Sequence, residues 1–156
     1  MVEVGQNAPE VELVDTERKQ VKISDFKGKT TVLAFFPGAF TGTCTKEMCT
    51  FRDSLSKFQS LDANVVAISV DSPFSNKSFK ESNQLNFPIL SDYSRNGVRT
   101  YGIPLENFAG LKGYTAAQRA VFVLDKDGVV RSKWVAENPG IEPNYDQVTR
   151  EVEKLG

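Results

Sequence analysis

Two uninterrupted apolar runs predict the centre of a β-sheet. They are TVLAFF at Thr31–Phe36 and VVAISV at Val65–Val70, and runs without polar alternation are typical of strands buried on both faces. Between them, residues 43–60 carry apolar side chains at spacings of three and four, which predicts an amphipathic helix. Two buried strands joined by a helix indicate a right-handed βαβ unit.

Shorter runs extend this unit on both sides. A small N-terminal hairpin is predicted from Val11–Val14 and Val21–Ile23, and a later hairpin from Ala120–Leu124 and Val129–Val135 around an Asp-Gly turn. The later hairpin makes the sheet mixed. Three further helices are predicted at Pro73–Leu85, Arg95–Tyr101 and Pro143–Leu155. A short strand is predicted at Phe87–Leu90. The sequence therefore predicts an α/β fold with three layers, in a single domain over residues 1–156.

Composition and charge exclude several classes of partner. The 156 residues carry 19 basic and 20 acidic side chains without a basic stripe, which argues against nucleic acid. No window approaches eighteen apolar residues, so no membrane span is predicted. The N-terminal MVEVGQNAPEVEL is acidic and lacks the apolar core of a secretory signal. We therefore predict a cytoplasmic protein.

The sequence contains no histidine and two cysteines. The absence of histidine excludes Ser-His-Asp and Cys-His catalysis and any histidine metal ligand. Two cysteines alone make a poor zinc site, and in a cytosolic chain they are not a disulfide framework. No metal or cofactor is predicted, and a reactive thiol would need Arg, Lys or a helix N-terminus to activate it.

Both cysteines lie at the junction between the first apolar run and the helix that follows it. The inward face of that helix is predicted to carry Met48, Phe51, Leu55 and Phe58. Four residues before Met48, Cys44 lies on the same face at the helix start, where Thr41 or Thr43 can act as N-cap. Glu47 in the first turn suits the positive end of the helix dipole. A thiol at this position is favoured as a thiolate.

Cys49 is predicted to point elsewhere. Five residues of helix rotate it by about 140° from Cys44, onto a polar face with Thr45, Arg52 and Ser56. The two Cα atoms would lie roughly 8–9 Å apart, beyond the ~7 Å limit for a disulfide. Bridging the two thiols would require the first turns of the helix to unwind. The alternative is that both cysteines are inert hydrophobic side chains, as most free cysteines are.

The segment PGAFTGTC resembles the signature of the peroxiredoxins. It contains Pro37, Thr41 and Cys44 at the spacing Pro-x-x-x-Thr-x-x-Cys. These are thiol peroxidases on a thioredoxin fold. The resemblance extends through GQNAPEVEL, KGKTTVLAFFP, VVAISVDSP, FPILSD, YGI and RAVFVLDKDGVVR, which together span most of the chain. The sequence is most similar to the bacterioferritin-comigratory-protein type, with features of one-cysteine relatives. The resemblance implies a thioredoxin-like fold with a mixed central sheet and an N-terminal β-hairpin.

The resemblance also implies roles for the signature residues. Cys44 would be the peroxidatic cysteine, which attacks the peroxide O–O bond and becomes a sulfenic acid. Thr41 would hold the thiolate and a peroxide oxygen, and Pro37 would shield the reacting sulfur from water. Considered singly, Thr41 could be only a helix cap and Pro37 only the end of a strand.

The family also uses an arginine held by an acidic residue. Glu47 matches that acidic position, and Arg119, at the start of AVFVL, is our candidate for the arginine. Arg131 is the rival, but its position after the Asp-Gly turn fits a hairpin better. A guanidinium would keep the thiolate ionised and stabilise charge on the departing oxygen.

Recycling and substrates are also implied by the resemblance. Cys49 matches a resolving position found in part of the family, which implies a Cys44–Cys49 disulfide and reduction by a thioredoxin- or glutaredoxin-like partner. Hydrogen peroxide is the expected substrate, and apolar neighbours such as Phe36 and Phe40 could admit organic hydroperoxides. A homodimer or higher homo-oligomer is expected.

Two other functions remain as alternatives. A thiol–disulfide oxidoreductase would have a related fold, but such enzymes use Cys-x-x-Cys where this chain has Thr41-Gly-Thr-Cys44. A chaperone-like or structural domain would carry inert cysteines.

Overall fold

The computed structural model describes residues 2–156, so Met1 of the predicted domain lies outside the described residues. The described residues form nine strands: β1 (Glu12–Val14), β2 (Gln20–Lys22), β3 (Thr30–Phe35), β4 (Ala63–Ser69), β5 (Ile89–Ser91), β6 (Pro104–Leu105), β7 (Ala116–Ala117), β8 (Ala120–Leu124) and β9 (Val130–Val135). The α-helices are α1 (Gly42–Ser60), α2 (Pro73–Ser82), α3 (Asn96–Thr100) and α4 (Tyr145–Glu153). Among the described residues, no helix has the length and apolar content needed to cross a membrane.

Seven strands form one mixed sheet in the order β2-β1-β5-β4-β3-β8-β9. Strands β3 and β4 pair in parallel and are connected by α1, which confirms the predicted βαβ unit. Strand β8 pairs antiparallel with both β3 and β9, and β1 pairs antiparallel with β2. The predicted mixed sheet and both predicted hairpins are confirmed.

The sheet separates two apolar cores, which gives the three predicted layers. One core packs α1, α2 and α4 against the face that carries Val32, Ala34 and Ala67. The other core uses the opposite side chains of the same strands, such as Leu33 and Phe35, and includes Val98 of α3. Because both faces of β3 and β4 are covered, their side chains are almost entirely buried, as the uninterrupted runs predicted.

Element ends differ from the predictions for local reasons. Helix α2 starts at Pro73, where the hydroxyl of Ser72 accepts from the Ser75 amide, but it ends at Ser82 rather than Leu85. Gln84 has a φ of 51°, in the left-handed region, which does not continue a helix. Helix α4 starts two residues later than predicted, because Asn144 caps it. The ribbon of β6 and β7 was not predicted, since its strands have only two residues each.

Candidate active site

The loop after β3 leads directly into α1 and places Cys44 in the first turn. Helix α1 begins at Gly42, with Thr41 as N-cap. The Cys44 side chain is 0% exposed and continues the buried face formed by Met48, Phe51, Leu55 and Phe58. The predicted inward face is therefore confirmed. Cys44 lies at the positive end of a 19-residue helix, close to amide groups that have no partner within the helix.

Arg119 contacts Cys44 directly. Its Nη2 atom donates to Cys44 Sγ at 3.2 Å and to the carbonyl of Pro139 at 2.7 Å, while Nη1 donates to Glu47 Oε1 at 2.8 Å. Strand pairing explains the approach. Phe35, at the end of β3, is paired with Ala120, so the preceding Arg119 lies beside the start of the loop. The structure thus brings together three residues that the sequence analysis singled out.

The Arg119–Glu47 pair is buried, with both side chains at most 1% exposed. Burial raises the pKa of the Glu47 carboxyl to about 7, although the positive charge of Arg119 opposes this shift. For Arg119, burial opposes the charged form, but the charges of Glu47 and Cys44 outweigh it and the pKa of the guanidinium is raised. Arg119 therefore remains a cation and supplies a fixed positive charge at the sulfur.

Thr41 is the N-cap by position but not through its side chain. Its hydroxyl donates to the Gly38 carbonyl at 2.8 Å, and no side-chain cap is formed at this helix start. Thr43, the other predicted N-cap, lies inside the helix. Because the hydroxyl proton of Thr41 is engaged by the loop, its oxygen is left as an acceptor.

A cavity of about 220 Å³ opens beside the sulfur. Its wall includes Pro37, Thr41, Gly42, Thr43, Cys44, Phe108, Arg119, Pro139 and Gly140. Phe36 and Phe40 are not in this wall: Phe36 is fully buried against Phe79, and Phe40 is 56% exposed. The aromatic neighbour is instead Phe108, which the sequence analysis did not identify. It comes from an irregular segment between β6 and β7 that has no periodic pattern.

The segment before α4 closes one side of the cavity. Besides the contact of the Pro139 carbonyl with Arg119, Glu142 accepts from the Tyr145 hydroxyl at 2.6 Å and forms an ion pair with Lys46 of α1 at 3.1 Å. The stretch AENPGIEPNYD, residues 136–146, is predicted from the sequence to cover either the site or an interface, and its Pro139 and Gly140 do line the cavity.

Cys49 occupies a different environment. It is half-buried, and its thiol donates to Asn83 Oδ1, at the C-cap of α2, with a sulfur–oxygen distance of 3.8 Å. Arg52, one turn further along α1, donates to the Asn83 carbonyl at 2.7 Å. Both cysteines are free thiols. Cys49 thus faces away from Cys44, as predicted, and its polar face contacts the end of α2.

Arg131, the alternative arginine, lies elsewhere. It is exposed and forms an ion pair with Asp125 at 2.8 Å, within the β8–β9 hairpin.

Chemically, the site combines a buried sulfur at a helix N-terminus, a guanidinium that donates to it, and a cavity open to a small molecule. A negative charge that develops near the sulfur would meet fixed donors rather than solvent. This arrangement suits a nucleophilic thiolate that displaces a small leaving group.

Comparisons with known proteins agree with this chemistry. Residues 4–133 match the AhpC/TSA family. The chain is 42% identical over 130 residues to "Peroxiredoxin Q, chloroplastic" of Populus jackii, a match that covers 83% of this chain and 59% of that protein. It is 38% identical over 135 residues to "Peroxiredoxin Bcp" of Bacillus subtilis (strain 168), covering 85% of each. The chain spans about three fifths of the length of the first curated relatives it matches.

A solved structure gives the same result for the fold. The crystal structure of Peroxidoxin BcpB from Mycobacterium tuberculosis superposes with a TM-score of 0.87 at 26% identity, covering 100% of this chain and 99% of that one. The predicted thioredoxin-like fold and the resemblance to the bacterioferritin-comigratory-protein type are therefore confirmed. The chain belongs to the AhpC/TSA family, and its relatives are peroxiredoxins.

Proposed function

We propose that this protein is a thiol-dependent peroxidase that reduces hydrogen peroxide and organic hydroperoxides and serves in antioxidant defence. The observation that carries the proposal is the 3.2 Å contact between Arg119 Nη2 and Cys44 Sγ at the start of α1. Family membership and the names of the relatives support it.

In the proposed reaction, the Cys44 thiolate attacks the hydroxyl oxygen of the peroxide ROOH. A sulfur–oxygen bond forms as the O–O bond breaks, so that the sulfur is oxidised to a sulfenic acid and the other oxygen leaves as RO⁻. This oxygen takes up a proton and departs as an alcohol, or as water when R is hydrogen. Arg119 stabilises first the thiolate and then the charge on the departing oxygen.

Three other residues support this step in the proposal. The acceptor oxygen of Thr41 receives the O–H of the peroxide, which orients the attacked oxygen toward the sulfur. Pro37 covers the sulfur on one side of the cavity. Glu47 holds Arg119 in place through the 2.8 Å hydrogen bond.

For recycling, we propose that Cys49 resolves the sulfenic acid. Its thiol would attack Cys44 Sγ, forming a disulfide and releasing water, and a thioredoxin- or glutaredoxin-like dithiol would then reduce this disulfide. Because the two thiols point about 140° apart on an intact helix, the first turns of α1 must unwind before they meet. A homodimer or higher homo-oligomer is part of this proposal.

Two further sequence predictions stay predictions. The cytoplasmic location is one of them, and a relative from Populus jackii is named as chloroplastic. The other is the organisation of residues 1–156 as a single domain.

The test is mass spectrometry of the reduced protein after one equivalent of hydrogen peroxide, combined with peroxide consumption in the presence of thioredoxin and its reductase. The wild type should lose two hydrogens as a Cys44–Cys49 disulfide. Cys49→Ser should gain one oxygen on Cys44, and Cys44→Ser should consume no peroxide. If Cys49→Ser turns over at the wild-type rate and no disulfide forms, the recycling scheme is wrong but the peroxidase proposal stands.

The same samples distinguish the alternative functions. An oxidoreductase of the Cys-x-x-Cys class would reduce insulin disulfides without consuming peroxide. A protein with inert cysteines would do neither.

A further inference from the structure

We propose that Asp71 is a positioning residue that holds the loop between β3 and α1 in its peroxide-binding conformation. Asp71 follows β4, and its Oδ2 atom accepts a hydrogen bond from the Ala39 amide at 2.8 Å. Ala39 lies in the middle of the loop, between Pro37 and Thr41, which both line the cavity. The contact joins segments that are 32 residues apart in sequence.

The loop is held in a conformation that it would not favour by itself. Phe40, next to Ala39, has a φ of 64°, and the left-handed region is uncommon for a bulky residue. Its side chain is 56% exposed, and its ring packs edge-on against Phe79 with a centroid distance of 5.3 Å. A side chain exposed to this extent gives limited compensation for the backbone cost. Hydrogen bonds to the loop backbone must therefore help to hold it.

Asp71 is itself built into a buried polar network. Its amide donates to the Ser69 hydroxyl at 3.2 Å, and its carbonyl accepts from the Ser91 hydroxyl. The Ser69 hydroxyl in turn donates to Asn76 Oδ1 at 2.9 Å. The three supporting side chains are each at most 1% exposed. Their hydrogen bonds fix the backbone of Asp71 on both sides, so the carboxylate is presented to Ala39 from a rigid support.

This inference rests on the proposed function and extends it to the balance between two conformations. With the Asp71–Ala39 contact in place, Thr41 and Cys44 stay aligned in the cavity and the sulfur stays covered. When the contact breaks, the loop can relax at Phe40 and the first turn of α1 loses its N-terminal support. Asp71 therefore favours reaction with peroxide and opposes the unwinding that brings Cys44 to Cys49.

The experiment compares Asp71→Ala with Asp71→Asn, whose amide oxygen can still accept from Ala39. Asp62→Ala is the matched control, because it removes an equal charge from a side chain that is 78% exposed and distant from the site. The first measurement needs no peroxide. In a Cys49→Ser background, the rate at which iodoacetamide alkylates Cys44 reports opening of the loop, because this thiol is fully buried.

Asp71→Ala should accelerate alkylation by about 10-fold or more, as expected for the loss of a charged hydrogen bond. Asp71→Asn should stay within about 3-fold of the wild type, since it keeps a neutral hydrogen bond, and Asp62→Ala should not change the rate. In the two-cysteine protein with peroxide, Asp71→Ala should slow oxidation of Cys44 and speed formation of the disulfide relative to overoxidation. If Asp71 only stabilised the fold, its removal would not change the rates of Cys44 oxidation and disulfide formation in opposite directions.

Equal alkylation rates in all variants would overturn the proposal, as would an Asp71→Asn rate as fast as that of Asp71→Ala. If Asp71→Ala does not fold, hydrogen exchange of the wild-type Ala39 amide decides: protection supports the contact, and exchange at the unprotected rate overturns it. The alkylation and exchange results do not depend on peroxide chemistry. A wild type that fails to consume peroxide therefore refutes the proposed function without deciding the role of Asp71 in holding the loop.

Discussion

The two cysteines of this protein lie five residues apart on α1, and their surroundings are opposite in character. Cys44 is fully buried and its sulfur receives a hydrogen bond from a guanidinium, beside a small cavity. Cys49 is half-buried and its sulfur donates a hydrogen bond to an amide oxygen at the C-cap of α2. The first sulfur faces a donor and the second faces an acceptor.

This difference shows that two cysteines on different faces of one helix can have different chemical surroundings. Arg119 presents a cation and an N–H donor to the first sulfur, whereas the second sulfur donates to a neutral amide oxygen. In the proposed reaction, the thiol that attacks the peroxide needs the first environment at rest. In the proposed recycling, the second thiol stays out of the cavity until the helix opens.

Arg119→Lys should have the largest effect on the difference between the two cysteines, because it changes the donor at Cys44. A lysine keeps the charge but donates from a single nitrogen, whereas the planar guanidinium reaches Glu47 from Nη1 and both Cys44 and Pro139 from Nη2. We expect the second-order rate of Cys44 oxidation by peroxide, measured by stopped-flow, to fall by about 100-fold. Arg131→Lys, in the exposed hairpin pair, is the matched control and should react like the wild type. A normal rate in Arg119→Lys would show that the donors are not needed.

Thr41→Val tests the acceptor oxygen in the cavity. Removing it should lower the rate of Cys44 oxidation by roughly 10-fold, the value of about one hydrogen bond, and Thr41→Ser should restore most of the rate. Thr50→Val, within α1, is the control, because its hydroxyl donates back to the Lys46 carbonyl and Thr50 is not part of the cavity wall. If both valine variants react equally fast, Thr41 serves only to shape the loop.

Asn83→Ala tests the surroundings of Cys49. The variant removes the acceptor of the Cys49 thiol but leaves the backbone carbonyl that binds Arg52. In a Cys44→Ser background, alkylation of Cys49 should become about 2- to 10-fold faster, as expected for a single neutral hydrogen bond. Ser82→Ala, one residue earlier, should have no effect. Alkylation of Cys49 that is unchanged in Asn83→Ala would mean that Asn83 does not restrain the thiol.

Glu47→Gln should change how the free energy of unfolding depends on pH, because Glu47 lies in the buried site of Cys44. The pKa of Glu47 is raised from 4.5 to about 7 in the folded protein, first by burial. The folded state therefore binds more protons than the unfolded chain within this range, and the stability due to this group falls as pH rises through it. Urea unfolding between pH 4.5 and 7 should show Glu47→Gln gaining stability relative to the wild type as pH rises. If the stabilities of Glu47→Gln and the wild type change with pH in parallel, the raised pKa of Glu47 is wrong. The control Glu153→Gln replaces an exposed carboxyl, and its stability should run parallel to that of the wild type.

Much of the fold could be predicted because its signals are local. The apolar runs of β3 and β4, the periodicity of α1, and the Asp-Gly turn between β8 and β9 each depend on neighbours within a few residues. The ends of α2 and β5 were less predictable, since the chain leaves the helix through a left-handed residue at Gln84 that no simple pattern announces. The short ribbon of β6 and β7 carries too few residues to form a pattern.

The candidate site divides in the same way. Pro37, Thr41 and Cys44 are close in sequence, and a motif was sufficient to select them. Arg119 was chosen over Arg131 by its place at the start of a strand, and Glu47 by its place in the first turn of α1. Phe108 and Asp71 were not identified from the sequence, because each reaches the site from a separate loop, whereas Pro139 lies in a stretch that the sequence predicts to cover the site or an interface.

The sequence by itself determined most of the elements and their order. It also determined that Cys44 and Cys49 point to different sides of one helix, since side-chain periodicity is a property of the local backbone. Only the tertiary structure decided what each sulfur meets. The pairing of Phe35 with Ala120 brings Arg119 to Cys44 across 75 residues, and the end of β4 brings Asp71 to Ala39. Such contacts depend on sheet register and loop path, which no single segment encodes.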